Sequence, residues 1–193
     1  MGRRPYRMTR RHESADRTRR RIVEATYALH ARRGIAATTM RDIAERAEVA
    51  VGTVYHHFPT YEDVVRACGE HTVALTRPPG VGSIDRAAAP AARLRALVEA
   101  WFGFYARFPG YERVRADRGS FRGVDRFMGE NDKARRAMLA ASVAPRKPAR
   151  KAAAVALALL DAGVYRALLA SGLSHGEAVD EVAAAIGHRL AGS

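Results

Sequence analysis

The stretch TTMRDIAERAEVAVGTVYHHFPTYEDVV, residues 38–65, decides the fold, because it places two short helices on either side of a three-residue turn. Thr39 stands three residues before Asp42, which is the spacing of a capping box and predicts a helix over about 39–47. After the turn, the second short helix ends at Phe58, since the residue before a proline avoids the helical region.

The flanking segments add two more helices. Apolar residues recur at helical spacing between Asp16, the expected N-cap, and Gly34, which predicts a helix over about 16–33. Thr60 and Asp63 repeat the capping-box spacing and begin a further helix. Two short helices packed on a longer one form the layout of a helix-turn-helix, whose second short helix enters the major groove of DNA.

The second short helix is expected to have an inner and an outer side. Val54 and Phe58 lie four residues apart and should face inward with Val49. Gly52 would let the helix approach DNA closely, and Thr53 can contact a base edge. Tyrosine and histidine side chains on the outer side can reach phosphates. The residues expected to face outward are Val51, Gly52, Thr53, Tyr55, His56 and His57.

A metal site is the alternative reading of the paired histidines. Adjacent residues on a helix point about 100° apart, so His56 and His57 cannot hold one metal without a third ligand. The sequence around them offers neither a nearby cysteine nor an HExxH pattern. No metal site is therefore expected.

The charge is strongly positive and unevenly distributed. The chain has a formal net charge of +13, and residues 1–60 hold thirteen arginines against six carboxylates. Such a surplus suits a phosphate backbone, where neutralisation releases condensed counterions. A solubilising role, or a general preference for arginine, is the alternative. Residues 1–15 are predicted to form a basic flexible arm.

Cysteine content and hydropathy indicate the compartment. The single Cys68 cannot form a disulfide within the chain, and no signal-peptide pattern opens the sequence. No apolar run approaches the roughly 20 residues that span a bilayer. We therefore expect a cytoplasmic protein that does not associate with a membrane.

The sequence beyond residue 76 predicts further helices. A loop over 77–92, rich in proline, glycine and alanine, precedes an apolar stripe from Leu94 to Phe108. Ser174 and Glu177 begin the last helix. The helices expected between them cover about 111–128, 130–143 and 149–171. The last of these is apolar on every side over part of its length, which predicts that a second copy of the chain covers it.

Asp161 is the only charge between Lys151 and Arg166. A buried carboxylate needs a partner, which Arg118, Arg166, a hydroxyl or a cationic effector could supply. An exposed position at the edge of a dimer is equally compatible with the sequence.

Residues 38–65 and the preceding RIVEATYALHARRG resemble the TetR (tetracycline-repressor-like) family of transcriptional regulators, and the resemblance covers about residues 17–70. It implies an all-α homodimer with an N-terminal three-helix helix-turn-helix domain and a C-terminal helical domain that binds an effector and dimerises. The expected divisions are the arm at 1–15, the DNA-binding domain at 16–60 and the effector-binding and dimerisation domain at 61–193.

The resemblance also implies roles for individual residues. The expected DNA contacts are Thr39, Arg41, Val51, Gly52, Thr53, Tyr55, His56, His57 and Tyr61. The expected effector contacts are Trp101, Tyr105, Phe108, Phe121, Met128, Asp161 and Tyr165, although an aromatic stripe of this kind can also be plain core. The expected dimer contacts are Val155, Leu159, Val182 and Ile186.

Three positions depart from the family pattern. Glu48 stands where a glycine is usual, and a left-handed conformation there costs a residue with a side chain roughly 1 kcal/mol. Ala50 removes a serine cap from the second short helix. Tyr61 replaces a lysine that grips a phosphate, so backbone amides at the helix start would have to hold that phosphate.

The function predicted from these features is a sequence-specific transcriptional regulator, a repressor released by a small-molecule effector. It would bind a near-palindromic DNA operator without a cofactor or catalysis, since the sequence has no glycine-rich phosphate loop and no nucleophile elbow. The alternative is a basic architectural nucleic-acid-binding protein that has a helix-turn-helix and no effector.

Overall fold

The computed structural model of the chain describes residues 4–145 and 147–191, with the side chains of residues 12–145 and 147–191. Every regular element in these residues is helical, which confirms the predicted all-α class. A single 3-10 turn covers Val81–Ser83. The α-helices are α1 Arg4–Arg33, α2 Met40–Arg46, α3 Val51–His57, α4 Tyr61–Thr76, α5 Pro90–Arg107, α6 Tyr111–Ala116, α7 Arg122–Val143, α8 Arg150–Leu159, α9 Ala162–Ala170 and α10 His175–Ala191.

The chain divides into two compact units. The first unit runs to Leu75 and also takes in Arg113–Asp125, and the second comprises Thr76–Glu112 and the chain from Arg126 onward. Helix α4 therefore groups with the helix-turn-helix. The predicted domain boundaries at 16–60 and 61–193 remain predictions.

The core of the first unit lies under the two short helices. Ile22 of α1, Ile43 of α2 and Val54 of α3 are fully buried and belong to one hydrophobic cluster, together with Phe58. The expected inward side of α3 is thus confirmed for Val54 and Phe58. Burial of this shared face, rather than helix propensity, holds two helices of only seven residues each.

Both predicted capping boxes at the start of α2 and α4 are present. The Thr39 hydroxyl accepts a hydrogen bond from the Asp42 backbone N–H, and the Asp42 carboxylate accepts one from the Thr39 N–H. Thr60 and Asp63 form the same reciprocal pair before α4. These short-range signals could be read correctly because each depends on residues three apart.

The start of α1 differs from the prediction. The helix begins at Arg4 instead of about residue 16, so Asp16 lies inside it. Pro5 is tolerated in a first helical turn, where its missing N–H has no intrahelical partner. The predicted flexible arm, 1–15, is therefore helical from residue 4 onward, and residues 1–3 lie outside the described residues.

Two further helix boundaries were wrong. The break expected near residue 129 lies between α6 and α7, where Gly119 has φ +88. The helix expected over 149–171 is two helices, α8 and α9, bent by 53°. Among the described residues no single helix is long and apolar enough to cross a membrane, and only α8 and α9 taken together match in length and composition.

The second unit is built on α5. Helix α10 packs against α5 and α8, and α9 also contacts α5. Trp101, Phe102 and Phe104 of α5 are fully buried. The predicted start of the last helix is confirmed, because Ser174 donates its backbone N–H to Glu177 and accepts the Glu177 N–H in return.

Candidate DNA-binding surface

Helix α3 presents the six outward residues that the sequence predicts. Tyr55 is 50% exposed and Val51 37% exposed, whereas Val54 on the opposite side is fully buried. Gly52 and His56 are also exposed, and Thr53 and His57 are half-buried. The outward face of α3 therefore carries hydroxyl, imidazole and small apolar groups, the mixture that contacts base edges and phosphates. Their DNA contacts remain predictions.

Gly52 leaves open space on this face. Apart from its chain neighbours and the backbone of its own helix, a Cβ atom built at Gly52 would have no heavy atom of the described residues within 4 Å. No packing requirement within the described part of the chain therefore explains a glycine in this helix, where glycine is less favourable than alanine.

The start of α2 is locked by a small polar cluster. Thr39 donates its hydroxyl to Asp42 Oδ2 at 2.6 Å, and Arg33 pairs with the same oxygen at 2.6 Å. The Thr39 hydrogen bond and then Arg33 lower the pKa of Asp42 to about 2. Both donors of Thr39 are thus engaged, so a phosphate would have to replace one of them. Arg41, next in the predicted set, is exposed.

The turn between α2 and α3 has the strain that the sequence predicts. Glu48 has φ +53, in the left-handed region that favours glycine. Arg21 of α1 donates from its guanidinium to the backbone carbonyls of Ala47 and Glu48. The N-cap of α3, Ala50, makes no side-chain hydrogen bond, as expected from the missing serine.

Replacing Glu48 with glycine should raise both the melting temperature and the affinity for DNA. The change removes roughly 1 kcal/mol of backbone strain and a carboxylate next to α3, while the Arg21 contacts to backbone carbonyls can persist. Thermal unfolding and DNA titration of Glu48→Gly test this, with Glu45→Gly on α2 as a control that should lower stability. An unchanged melting temperature for Glu48→Gly would contradict the strain.

The Tyr61 side chain is engaged inside the first unit, so the predicted DNA contact at this position would rest on the backbone amides and remains a prediction. The Tyr61 hydroxyl donates to the Ile35 carbonyl at 2.6 Å and lies 3.1 Å from His30 Nε2, and the ring packs edge-on against Phe121. Burial raises the pKa of Tyr61 above its ordinary value. Because this hydroxyl is engaged inside the unit, lysine at position 61 would lose internal contacts instead of simply adding a phosphate contact.

His30 is a buried titratable group in this network. It is 3% exposed, and burial lowers its pKa to about 4, while Asp117 raises it and Arg33 lowers it further. Since the hydroxyl of Tyr61 donates to Ile35, His30 Nε2 acts as the donor to Tyr61. The imidazole is therefore neutral in the folded protein near neutral pH.

The first unit should lose stability as the pH falls below about 6.5. Between this value, typical of an unfolded histidine, and the folded pKa of about 4, the unfolded chain binds more protons. The free energy of unfolding therefore falls with pH, by roughly 1 kcal/mol from this group at pH 5.5. Urea unfolding at pH 7.5 and 5.5 measures it, and His30→Gln should show a smaller drop. The exposed His12→Gln should behave like the native chain, and equal drops in all three proteins would refute the assignment.

The residues predicted to bind an effector lie in three different environments. Trp101, Tyr105 and Met128 are buried in the second unit, as are Phe108 and Tyr165. Phe121 belongs to the first unit and packs on Tyr61. Asp161 is the N-cap of α9, and its carboxylate accepts the Gly163 N–H at 2.8 Å, so the chain itself supplies a partner for this charge. The effector contacts of both residues remain predictions.

Two of the predicted dimer contacts are accessible and two are buried in their own unit. Val155 is 41% exposed and Leu159 is half-buried. Val182 and Ile186 are 4% and 0% exposed, because α10 turns them toward the core of its own unit. These two residues cannot contact a partner, and their assignment to the interface is wrong.

Arg21, His30 and Asp117 support the helix-turn-helix but were not singled out by the sequence. Asp117 accepts the Ile35 backbone N–H at 2.6 Å across more than eighty residues of chain. Arg21 is one of nine arginines in the first 21 residues, and nothing local distinguishes it. Within the described residues, no group of three or more His, Cys, Asp or Glu could hold a metal ion.

Comparison with known proteins supports this description. Residues 22–68 match the sequence profile of bacterial regulatory proteins, tetR family. The HTH-type transcriptional repressor KstR of Rhodococcus jostii is 55% identical over 42 residues, which are 22% of this chain and 20% of that protein. The HTH-type transcriptional regulator TtgR of Pseudomonas putida is 44% identical over 55 residues, which are 28% of this chain and 26% of that protein.

The matches to these curated relatives thus span about a quarter of their length or less. A crystal structure of a transcriptional regulator from Rhodococcus sp. Rha1 covers far more, 90% of this chain and 96% of its own, with a TM-score of 0.66 and 22% sequence identity. This likeness shows that the fold extends through the second unit. The resemblance to the TetR family is confirmed over the helix-turn-helix.

Proposed function

We propose that this chain, whose residues 22–68 belong to the tetR family of bacterial regulatory proteins, is a transcriptional repressor that binds a specific DNA operator as a homodimer. The observation that carries the proposal is the outward face of α3, where an open glycine stands among exposed polar groups above a fully buried Val54. The relatives that match this segment are named HTH-type transcriptional repressors and regulators. The protein acts by binding, without catalysis and without a cofactor, in the cytoplasm where its DNA lies.

The homodimer would form through exposed faces of α8 and α10. In the middle of α8, three exposed residues lie within four positions of one another, and all three are small and apolar. Adjacent small residues on α10 are also exposed. Such faces allow close helix packing across a two-fold axis. The proposed interface includes Ala154, Val155 and Ala158 of α8, with Leu159 at its edge, and Ala184 and Ala185 of α10.

A two-fold dimer implies a near-palindromic operator. Each copy of α3 would read one half-site, and the half-sites would lie about one helical turn of DNA apart or slightly more. The aromatic interior of the second unit would bind the effector, and binding there would release the repressor from DNA. The predicted effector contacts that are buried in this interior are Trp101, Tyr105, Phe108, Met128 and Tyr165.

Deleting residues 1–15 should weaken binding to all DNA sequences by about tenfold at physiological salt and flatten the salt dependence. The deletion removes five arginines and one glutamate, and α1 from residue 16 onward still carries the buried residues of the first unit. The ratio of specific to random binding should change little. Titrations at several salt concentrations test this, and an unchanged salt slope would show that these arginines do not contact phosphates.

The second candidate function, a basic architectural protein without an effector, is favoured by the net charge of +13. Anisotropy titration of a selected duplex and of a scrambled duplex separates the two functions. A specific regulator should bind the selected duplex about 10³-fold more tightly or better. Equal binding to both duplexes would favour the architectural function.

A further inference from the structure

Besides Nε of Arg93, two buried nitrogens in the second unit have no hydrogen-bond partner within the described residues. They are Nε1 of Trp101, whose side chain is fully buried, and Nδ2 of Asn131, which is 3% exposed. Buried donors are normally paired, because a donor removed from water without a partner does not recover its desolvation cost. Each unpaired donor therefore indicates a group that the folded chain alone does not supply.

The two donors lie on helices α5 and α7, which Arg135 connects. Asn131 and Arg135 are four residues apart, on the same face of α7. The Arg135 guanidinium lies 5.5 Å from the centre of the Trp101 ring on α5 and donates to the Tyr105 hydroxyl at 3.4 Å. Arg135 thus joins the face of α7 that carries Asn131 to the face of α5 that carries Trp101.

The groups around this place favour an acceptor over a donor. The Tyr105 hydroxyl donates its own proton to the Leu160 carbonyl at 3.0 Å, and Asp132 is paired with Arg135. Arg135 itself is only 12% exposed and has five N–H groups. The unpaired donors therefore require a ligand atom that accepts hydrogen bonds. The Trp101 ring packs edge-on against Phe104, which packs against Phe108, and Met128 precedes Asn131 by three residues on α7. All three neighbours are fully or almost fully buried.

We propose that the second unit binds an apolar molecule that ends in a carboxylate or carbonyl oxygen, which accepts hydrogen bonds from Trp101 Nε1 and Asn131 Nδ2 beside Arg135. The inference rests on the proposed function, because it names the chemical class of the effector. Cationic ligands are disfavoured, since they would place a second positive charge and further donors beside Arg135.

Intrinsic fluorescence tests the site directly, because Trp101 is the only tryptophan. The probes are 3-phenylpropanoate, 4-phenylbutan-2-one and 3-phenylpropylamine, which share an aromatic body and differ in the terminal group. With excitation at 295 nm and no DNA present, the acid and the ketone should give saturable changes. The amine should bind at least about tenfold more weakly. Absence of binding by both acceptors, or equal binding by the amine, would overturn the proposal.

Variants separate this site from general core packing. Asn131→Leu keeps the approximate volume and removes one donor, so it should weaken acid and ketone binding by about fivefold or more without lowering the melting temperature. Met138→Leu, an apolar exchange on the same helix at a fully buried position, should leave binding unchanged. Equal binding by Asn131→Leu and the native chain would contradict the assignment.

DNA binding in the presence and absence of the probes distinguishes the ligand site from the repressor function. If the probes bind as expected and the operator complex is unaffected, the site stands and effector release is contradicted. If DNA binding is specific and the probes do not bind, the repressor function stands and the ligand class is wrong.

Discussion

Replacing Gly52 with leucine is expected to weaken operator binding by about 100-fold or more without lowering the melting temperature of the protein. No other element in the described part of the chain approaches a Cβ at this position within 4 Å, and leucine is the better helix former, so α3 should be unchanged or slightly more stable. In the DNA complex, the leucine side chain would project between α3 and the bases and hold the helix away from the major groove. The helix would then lose base contacts worth about 1–3 kcal/mol each.

Gly69 provides the matched control. It is an exposed glycine inside α4, and a Cβ there also meets no atom within 4 Å. Gly69→Leu should raise the melting temperature by a similar amount and leave operator affinity within a factor of about two. Operator titration and thermal unfolding of both variants give the result. Equal affinity of Gly52→Leu and Gly69→Leu would show that α3 does not enter the groove at Gly52.

Replacing Val155 with arginine should raise the dimer dissociation constant, and weaken operator binding, by about 100-fold or more. An unpaired charge buried at the centre of an interface costs about 3 kcal/mol or more. The fold of each copy should survive, because Val155 is 41% exposed and an arginine there can extend into solvent. Sedimentation at micromolar concentration should find a monomer with native helical content.

Leu169→Arg is the control for this prediction. Leu169 lies on α9 and is 38% exposed, so the exchange has the same chemistry outside the proposed interface. It should sediment as a dimer and bind the operator normally. A native chain that is monomeric at micromolar concentration would refute the homodimer. A dimeric Val155→Arg variant would show that the interface lies elsewhere. Ile186→Arg is unsuitable because Ile186 is fully buried, and arginine there would unfold the unit.

The first unit was the part most readily predicted from sequence. Capping boxes at Thr39 and Thr60 and the inward side of α3 depend on residues three or four positions apart. The left-handed Glu48 could be identified because the family pattern has glycine there. The Arg21 contacts that hold this turn, and the Asp117 contact to Ile35, join residues far apart in sequence, and no local pattern reveals such pairs.

In the second unit, sequence periodicity identifies apolar helix faces but not the elements that cover them. The stripe that includes Val182 and Ile186 was predicted correctly as an apolar face, but the sequence does not reveal what covers such a face. In the structure α5 and α8 cover it, so the residues assigned to a partner belong to the core of the same chain. The helix break at Asp161 was missed for a related reason. A charge in an apolar run was interpreted as either a buried carboxylate or one at a dimer edge, whereas it is the N-cap at a break between two helices.

Tyr61 illustrates the same limit at the DNA-binding surface. Its place at the start of α4 was correctly predicted, but the direction of its side chain depends on His30, Ile35 and Phe121, which come from three other segments. The position alone therefore does not reveal that the side chain points into the unit, and a phosphate contact here would rest on the backbone amides.

In the proposed repressor, two copies of α3 bind a specific, two-fold symmetric DNA site. Selection of bound duplexes from a random pool by the full chain, followed by sequencing, tests it most directly. We expect an enriched near-palindrome with half-sites about one helical turn apart, bound about 10³-fold more tightly than unselected DNA. Selected duplexes without inverted symmetry, or no enrichment over the starting pool, would contradict the claim.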